Sequence, residues 1–67
     1  MIVELNGSPT KLPDGATLAD ALAAVGAEER RGVAAAVGGE VVPRADWGRR
    51  SLAEGDEVEV VRAVQGG

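Results

Sequence analysis

The residues of this chain whose chemistry stands out are its last two, Gly66 and Gly67. They follow a strand-like run, Glu57-Val58-Glu59-Val60-Val61-Arg62, after only three further residues. Neither glycine has a side chain to pack, and each keeps large backbone freedom, so folding stability alone gives no reason for the pair. What it offers is an unhindered carboxylate on a thin tail that threads into the active site of another protein. The expectation is that Gly67 carries the reacting group and that Gly66 gives access to it. Taken alone, the dipeptide also reads as a frayed end.

Side-chain chemistry is scarce elsewhere. There is no His, the commonest general base and metal ligand, and no Cys. A disulfide scaffold, a thiolate zinc site and a cysteine nucleophile are therefore excluded, while the redox compartment stays undecided. Trp47 is the single aromatic, and the net charge of −4 repels a phosphate backbone, so nucleic acid is not an expected partner. Sixty-seven residues make one domain, too small to enclose a substrate pocket of its own. The start, Met1-Ile2-Val3-Glu4-Leu5, has neither the basic opening nor the apolar run of a signal peptide, and no stretch approaches membrane-spanning length. The chain reads as a soluble, acidic, cytoplasmic domain without membrane contact, and not as an enzyme.

The elements that must present the tail can be read from local pattern. Ile2 to Leu5 is a short strand, and Asn6-Gly7 suits a tight hairpin turn into a return strand from Pro9 to Leu12. Pro9 belongs at that strand's start or on a sheet edge. After the turn residues Pro13-Asp14-Gly15, Thr17 serves as a helix N-cap, with Asp20 completing an approximate capping box. Leu18, Ala21, Leu22 and Val25 form one apolar stripe, and Gly26 stops the helix. Ala27 to Gly32 read as a connector.

Val33 to Val37 is alanine-rich, but its flanking valines, Gly38-Gly39 and Val41-Val42 favour a second hairpin, ended by Pro43. Arg44 to Arg50 read as a loop with a turn around Trp47, and Glu54-Gly55-Asp56 as a turn into the last strand. The order hairpin, helix, hairpin, strand predicts an α+β fold, a ubiquitin-like β-grasp. In it a mixed sheet of four to five strands wraps one main helix, with the last strand beside the first. The expected partition is a domain over 1–64 and a tail over 65–67.

The residues also resemble a known family, the sulfur carrier proteins of thiamine biosynthesis (ThiS). The resemblance rests on Asn6-Gly7, Thr17-Leu18, Val42-Pro43-Arg44 with Trp47, Glu54-Gly55-Asp56-Glu57-Val58, and the closing Val64-Gln65-Gly66-Gly67. These matches run in order over nearly the whole chain. The alanine-rich third strand and the absence of Phe depart from the family.

The resemblance implies a carrier with no bound cofactor, whose Gly67 carboxylate becomes a thiocarboxylate (1-thioglycine). The implied partners are a ubiquitin-activating-type adenylating enzyme (ThiF-like) that uses ATP, a sulfur donor such as a cysteine-desulfurase persulfide relay, and a thiazole synthase (ThiG-like). The small subunit of molybdopterin synthase and a ubiquitin-like protein modifier remain alternatives, because activation of the carboxylate is common to all three.

Partner recognition needs a surface. With Val58 and Val60 facing the helix, Glu59, Val61 and Ala63 face outward, and Ile2 joins them on the open face. Ile2 and Val61 are the candidate contact patch beside the tail, with Arg62 guiding it. Trp47 is expected to close one end of the core. Arg44, Arg49, Arg50 and the carboxylates of Glu28-Glu29 and Glu54-Asp56-Glu57 are read as solvated.

Overall fold

The computed structural model describes residues 1–27 and 32–62. Expectations that fall on Glu28, Glu29, Ala63, Gly66 and Gly67 lie outside those residues. Strands β1 (Ile2–Leu5), β2 (Ser8–Lys11), β3 (Val33–Val37), β4 (Glu40–Val42) and β5 (Glu57–Arg62) form one sheet in the order β2-β1-β5-β3-β4. β1 pairs antiparallel with β2 and parallel with β5, and β3 pairs antiparallel with both β4 and β5. Helix α1 (Leu18–Ala24) and a 3₁₀ turn (Arg44–Asp46) complete the order. This is the β-grasp arrangement, a mixed sheet with one helix.

Each element has a local cause. Asn6 and Gly7 take φ of 50° and 82°, which gives the twist that a two-residue hairpin turn requires. The return strand begins one residue earlier than expected, at Ser8, so Pro9 sits inside it opposite Glu4. That position is tolerated because β2 is an edge strand, where the missing N–H interrupts no ladder. Leu12 leaves the strand and turns into the core at 6% exposure.

The helix is capped at both ends. Thr17 accepts from the Asp20 N–H, and the Asp20 carboxylate accepts from the Thr17 N–H at 2.9 Å, so the capping box is complete with Asp in place of Glu. The next donors inward, Leu18 N–H and Ala19 N–H, go to the carbonyls of Arg50 (2.8 Å) and Trp47 (3.0 Å). All the orphan donors of the first turn are therefore satisfied, two of them by a loop distant in sequence.

The C-terminus corrects one expectation. Val25 does not extend the buried stripe: it is the C-cap residue, outside the helix, and 48% exposed. Gly26, at φ 69°, reverses the chain, with Gly26 N–H donating to Ala23 and Ala27 N–H to Leu22. This Schellman geometry turns Ala27 back against Leu22, and Ala27 is buried where the periodicity placed Val25.

The core lies between α1 and one sheet face. Leu18, Leu22, Val3 and Val58 are its largest fully buried side chains, joined by Leu5, Leu12, Val37, Val42, Trp47 and Leu52 and by small alanines. Val60 packs partly against it. With no Phe available, Trp47 supplies the one large ring, and its Nε1–H donates to the Val42 carbonyl at 2.9 Å within buried surroundings.

Two stability outcomes follow from these contacts. Leu22→Ala is expected to lower the free energy of unfolding by about 2–5 kcal/mol through the cavity it leaves. Thr17→Ala is expected to cost about 0.5–2 kcal/mol through the lost cap. Urea titration followed by tryptophan fluorescence measures both.

Candidate functional site

The strand that leads to the tail is held in mid-sheet. β5 lies between β1 and β3, with Ala34 opposite Val61 and Val33 opposite Arg62. Along β5, Val58 is buried at 1% exposure, Val60 is half-buried, and Glu57, Glu59, Val61 and Arg62 are exposed. The alternation expected from sequence is present from Glu57 to Val61, and Arg62 is exposed like Val61 before it.

The structure separates two residues that sequence reasoning had grouped. Ile2 and Val61 are both exposed, at 47% and 59%. However, β1 and β5 run parallel, with Glu4 level with Glu57 and Leu5 with Val58. Ile2 is therefore level with Gly55, whose N–H donates to the Ile2 carbonyl at 2.8 Å. Val61 lies six residues farther on, roughly 20 Å along the strand. Ile2 marks the entry of β5 and Val61 its exit, so the two do not form one patch beside the tail.

What adjoins Val61 is the alanine-rich strand. Ala36 stands between Glu59 and Val41 across the sheet, and Ala34 stands beside Val61. Small side chains between two exposed valines leave a shallow trough of about 110 Å³, floored by Ala34 and Ala36 and bounded by Val41, Val61 and Glu59. Val41, at 70% exposure, is the most exposed large apolar side chain among the described residues, and sequence reading did not single it out. Its signal was the pairing of β-branched Val41 with a run of alanines, which becomes a surface only once β3 and β4 are side by side.

Two polar side chains extend the short β1–β5 ladder at either end. The Glu54 carboxylate accepts from the Ile2 N–H at 2.9 Å. Beyond the other end, the Asn6 N–H donates to the Val58 carbonyl at 2.8 Å. The Asn6 carboxamide then meets Val60, the next residue of β5 whose backbone groups turn toward β1, with Oδ1 accepting from the Val60 N–H at 2.8 Å and Nδ2 donating to the Val60 carbonyl at 3.2 Å.

The charged residues have local tasks. Asp56 accepts from the Ala53 N–H at 2.8 Å, shaping the turn before β5. Arg49 pairs with Asp46 at 2.7 Å, Arg50 donates to the Ser51 carbonyl, and the Arg44 guanidinium lies over the Trp47 ring at 4.5 Å. Among the described residues, no cluster of three His, Cys, Asp or Glu side chains is placed to hold a metal, and no helix is long and apolar enough to cross a membrane.

A five-stranded mixed sheet with this topology and β5 in its middle can be set against known proteins. The family model described as the ThiS family matches residues 2–67. The chain belongs to the ThiS family. Two solved structures of a Geobacter metallireducens protein are similar to this ThiS-family chain. One is a crystal structure titled thiamine biosynthesis protein (ThiS), with a TM-score of 0.83, 25% identity and full coverage of both chains. The other is a solution structure titled a thiamine biosynthesis protein, with a TM-score of 0.78, 25% identity, and coverage of all of this chain and 88% of that one. No curated protein matches the sequence.

The alternation along β5 makes a direct test of facing. Val58→Asp buries a carboxylate among apolar side chains and is expected to cost about 3 kcal/mol or more. Val61→Asp, on the open face, is expected to change stability by no more than about 0.5 kcal/mol. Equal losses in a urea titration would contradict this assignment of faces.

Proposed function

We propose that this ThiS-family chain is a sulfur carrier in thiamine biosynthesis, acted on by enzymes and not itself an enzyme. The observation that carries the reading is the family match, which spans residues 2–67. Structural likeness over full length to a protein titled thiamine biosynthesis protein supports it.

The chemistry follows from the nature of a carboxylate. Its charge is delocalised and oxide is a poor leaving group, so it must be activated before a nucleophile can replace oxygen. In this reading the Gly67 carboxylate attacks ATP on a ubiquitin-activating-type enzyme, pyrophosphate departs, and an acyl-adenylate forms. The sulfur donor's persulfide sulfur then attacks the acyl carbon and displaces AMP. A thiol cleaves the S–S bond of the resulting acyl disulfide by exchange, leaving a thiocarboxylate whose sulfur a thiazole synthase takes up. The ATP belongs to the activating enzyme, and no cofactor is assigned to the carrier.

Each step requires the carboxyl carbon within near-attack distance of groups on another protein. Gly67 puts no Cβ in the way, and Gly66 permits passage through a narrow channel. Ordering such a tail costs about 1–2 kcal/mol per residue, which contacts made by the folded domain must offset. In this reading Val61 and Arg62, next to the trough over Ala34 and Ala36, make those contacts. Ile2 would contact a partner only if its footprint reached the opposite end of the sheet.

Deleting Gly67 is expected to leave the urea midpoint unchanged while abolishing the mass gain of sulfur for oxygen in protein isolated from its host, and to make that host require thiazole. Thiazole independence would defeat the proposal, loss of molybdenum-enzyme activity would move the carrier to molybdopterin synthesis, and ladders of conjugates would point to a protein modifier. Val61→Asp is expected to raise the KM for the carrier in the adenylation assay about tenfold, the loss of one well-packed contact worth about 1.4 kcal/mol.

A further inference from the structure

The β1–β5 ladder has only two residue pairs, Glu4 with Glu57 and Leu5 with Val58, because β1 ends at Leu5 while β5 continues to Arg62. Past Val58 the β1 side of the exit strand has no strand beside it. A strand alternates the direction of its backbone groups, so Val60, like Val58, turns its N–H and C=O toward β1 and away from β3. Those two groups are taken by one side chain, the Asn6 carboxamide, which supplies an acceptor at 2.8 Å and a donor at 3.2 Å. A carboxamide has the same donor and acceptor as a peptide group, so Asn6 continues the ladder by one step after the chain has turned away into β2.

The residue is fitted to this in two ways. It occupies φ 50°, a conformation Asn tolerates better than most side chains, so the backbone can leave β1 while the side chain stays in line with it. Gly7 completes the turn at φ 82°. Neither hydrogen bond is needed to close the hairpin, whose own pairs run from Leu5 with Ser8 to Ile2 with Lys11. The carboxamide is spent on β5, a strand 54 residues away in sequence.

Resting on the carrier reading, we propose that Asn6 is a positioning residue for the C-terminal tail. By holding Val60 on both its backbone groups, it secures the β1 side of β5, whose other side β3 pairs through Arg62. It thereby fixes the direction in which β5 leads toward the tail. Asn6 acts through β5 and does not touch the reacting atoms.

The test uses the full chain with the adenylating enzyme of its own host and ATP. Asn6→Gly keeps the positive φ and removes only the carboxamide. Asn6→Asp keeps an acceptor for the Val60 N–H but sets an oxygen against the Val60 carbonyl. Asp20→Ala, which breaks the capping box far from β5, reports what general destabilisation does.

The expected result is faster amide exchange at Val60 in Asn6→Gly, with exchange at Val58 unchanged. The kcat for adenylation should fall about tenfold or more through misplacement of the carboxylate, while KM stays within about twofold because the docking surface is intact. Asn6→Asp should fall between Asn6→Gly and the unsubstituted protein, and Asp20→Ala should keep the unsubstituted kcat. Unchanged kcat in Asn6→Gly, or an equal fall in Asp20→Ala, overturns the positioning role alone. Failure of the unsubstituted protein to be adenylated overturns the carrier reading and this inference with it.

Discussion

The parallel pairing of β1 with β5 is the constraint on which the rest of this structure depends. Parallel neighbours cannot be joined by a tight turn, so the chain between Asn6 and Asp56 must make a long connection before it returns beside β1 as β5. That excursion contains the helix, the second hairpin and the Trp47 loop. Because β3 and β4 add to the far side of β5, the last strand ends up in the middle of the sheet, although it is the last to be made. A tail leaving such a strand is anchored on a well-held element, and its exit lies at the same end as the β1–β2 turn.

A sheet this small leaves one face to be covered by a helix of seven residues, well below the length at which an isolated helix is stable in water. The helix persists because the tertiary fold attends to its ends. The loop around Trp47 supplies carbonyls to the first turn, and the Schellman turn folds Ala27 under Leu22. Trp47 ties that loop to β4 through the Val42 carbonyl and is itself buried in the core. Burial and hydrogen bonding therefore cooperate at one place, where the 3₁₀ turn, the helix N-terminus and the end of β4 meet.

Much of the fold was legible from local chemistry. Asn6-Gly7, Gly38-Gly39, Thr17 with Asp20, and Gly26 each dictate backbone geometry through their immediate neighbours, and all occur where the sequence places them. Val25 was misread because helical periodicity assumes the helix continues, whereas the residues after Ala24 satisfy the last carbonyls by reversing. The Ile2–Val61 grouping was misread because alternation reports which face a residue is on and not where along the strand its neighbour stands. Asn6 was legible as a turn residue only. The carboxamide's partner, Val60, is brought to it by the parallel ladder and leaves no trace in the local pattern.

By itself, then, the sequence determined the main elements, most of their breaks and the faces they bury. These depend on sterics and hydrogen bonds among residues close along the chain. Only the tertiary structure decided that Ile2 and Val61 lie at opposite ends of the sheet, that two exposed valines enclose an alanine-floored trough, and that Asn6 and Glu54 complete the ladder of the exit strand. Those depend on strand direction and register, which are set by the packing of the whole core and by no single stretch of residues.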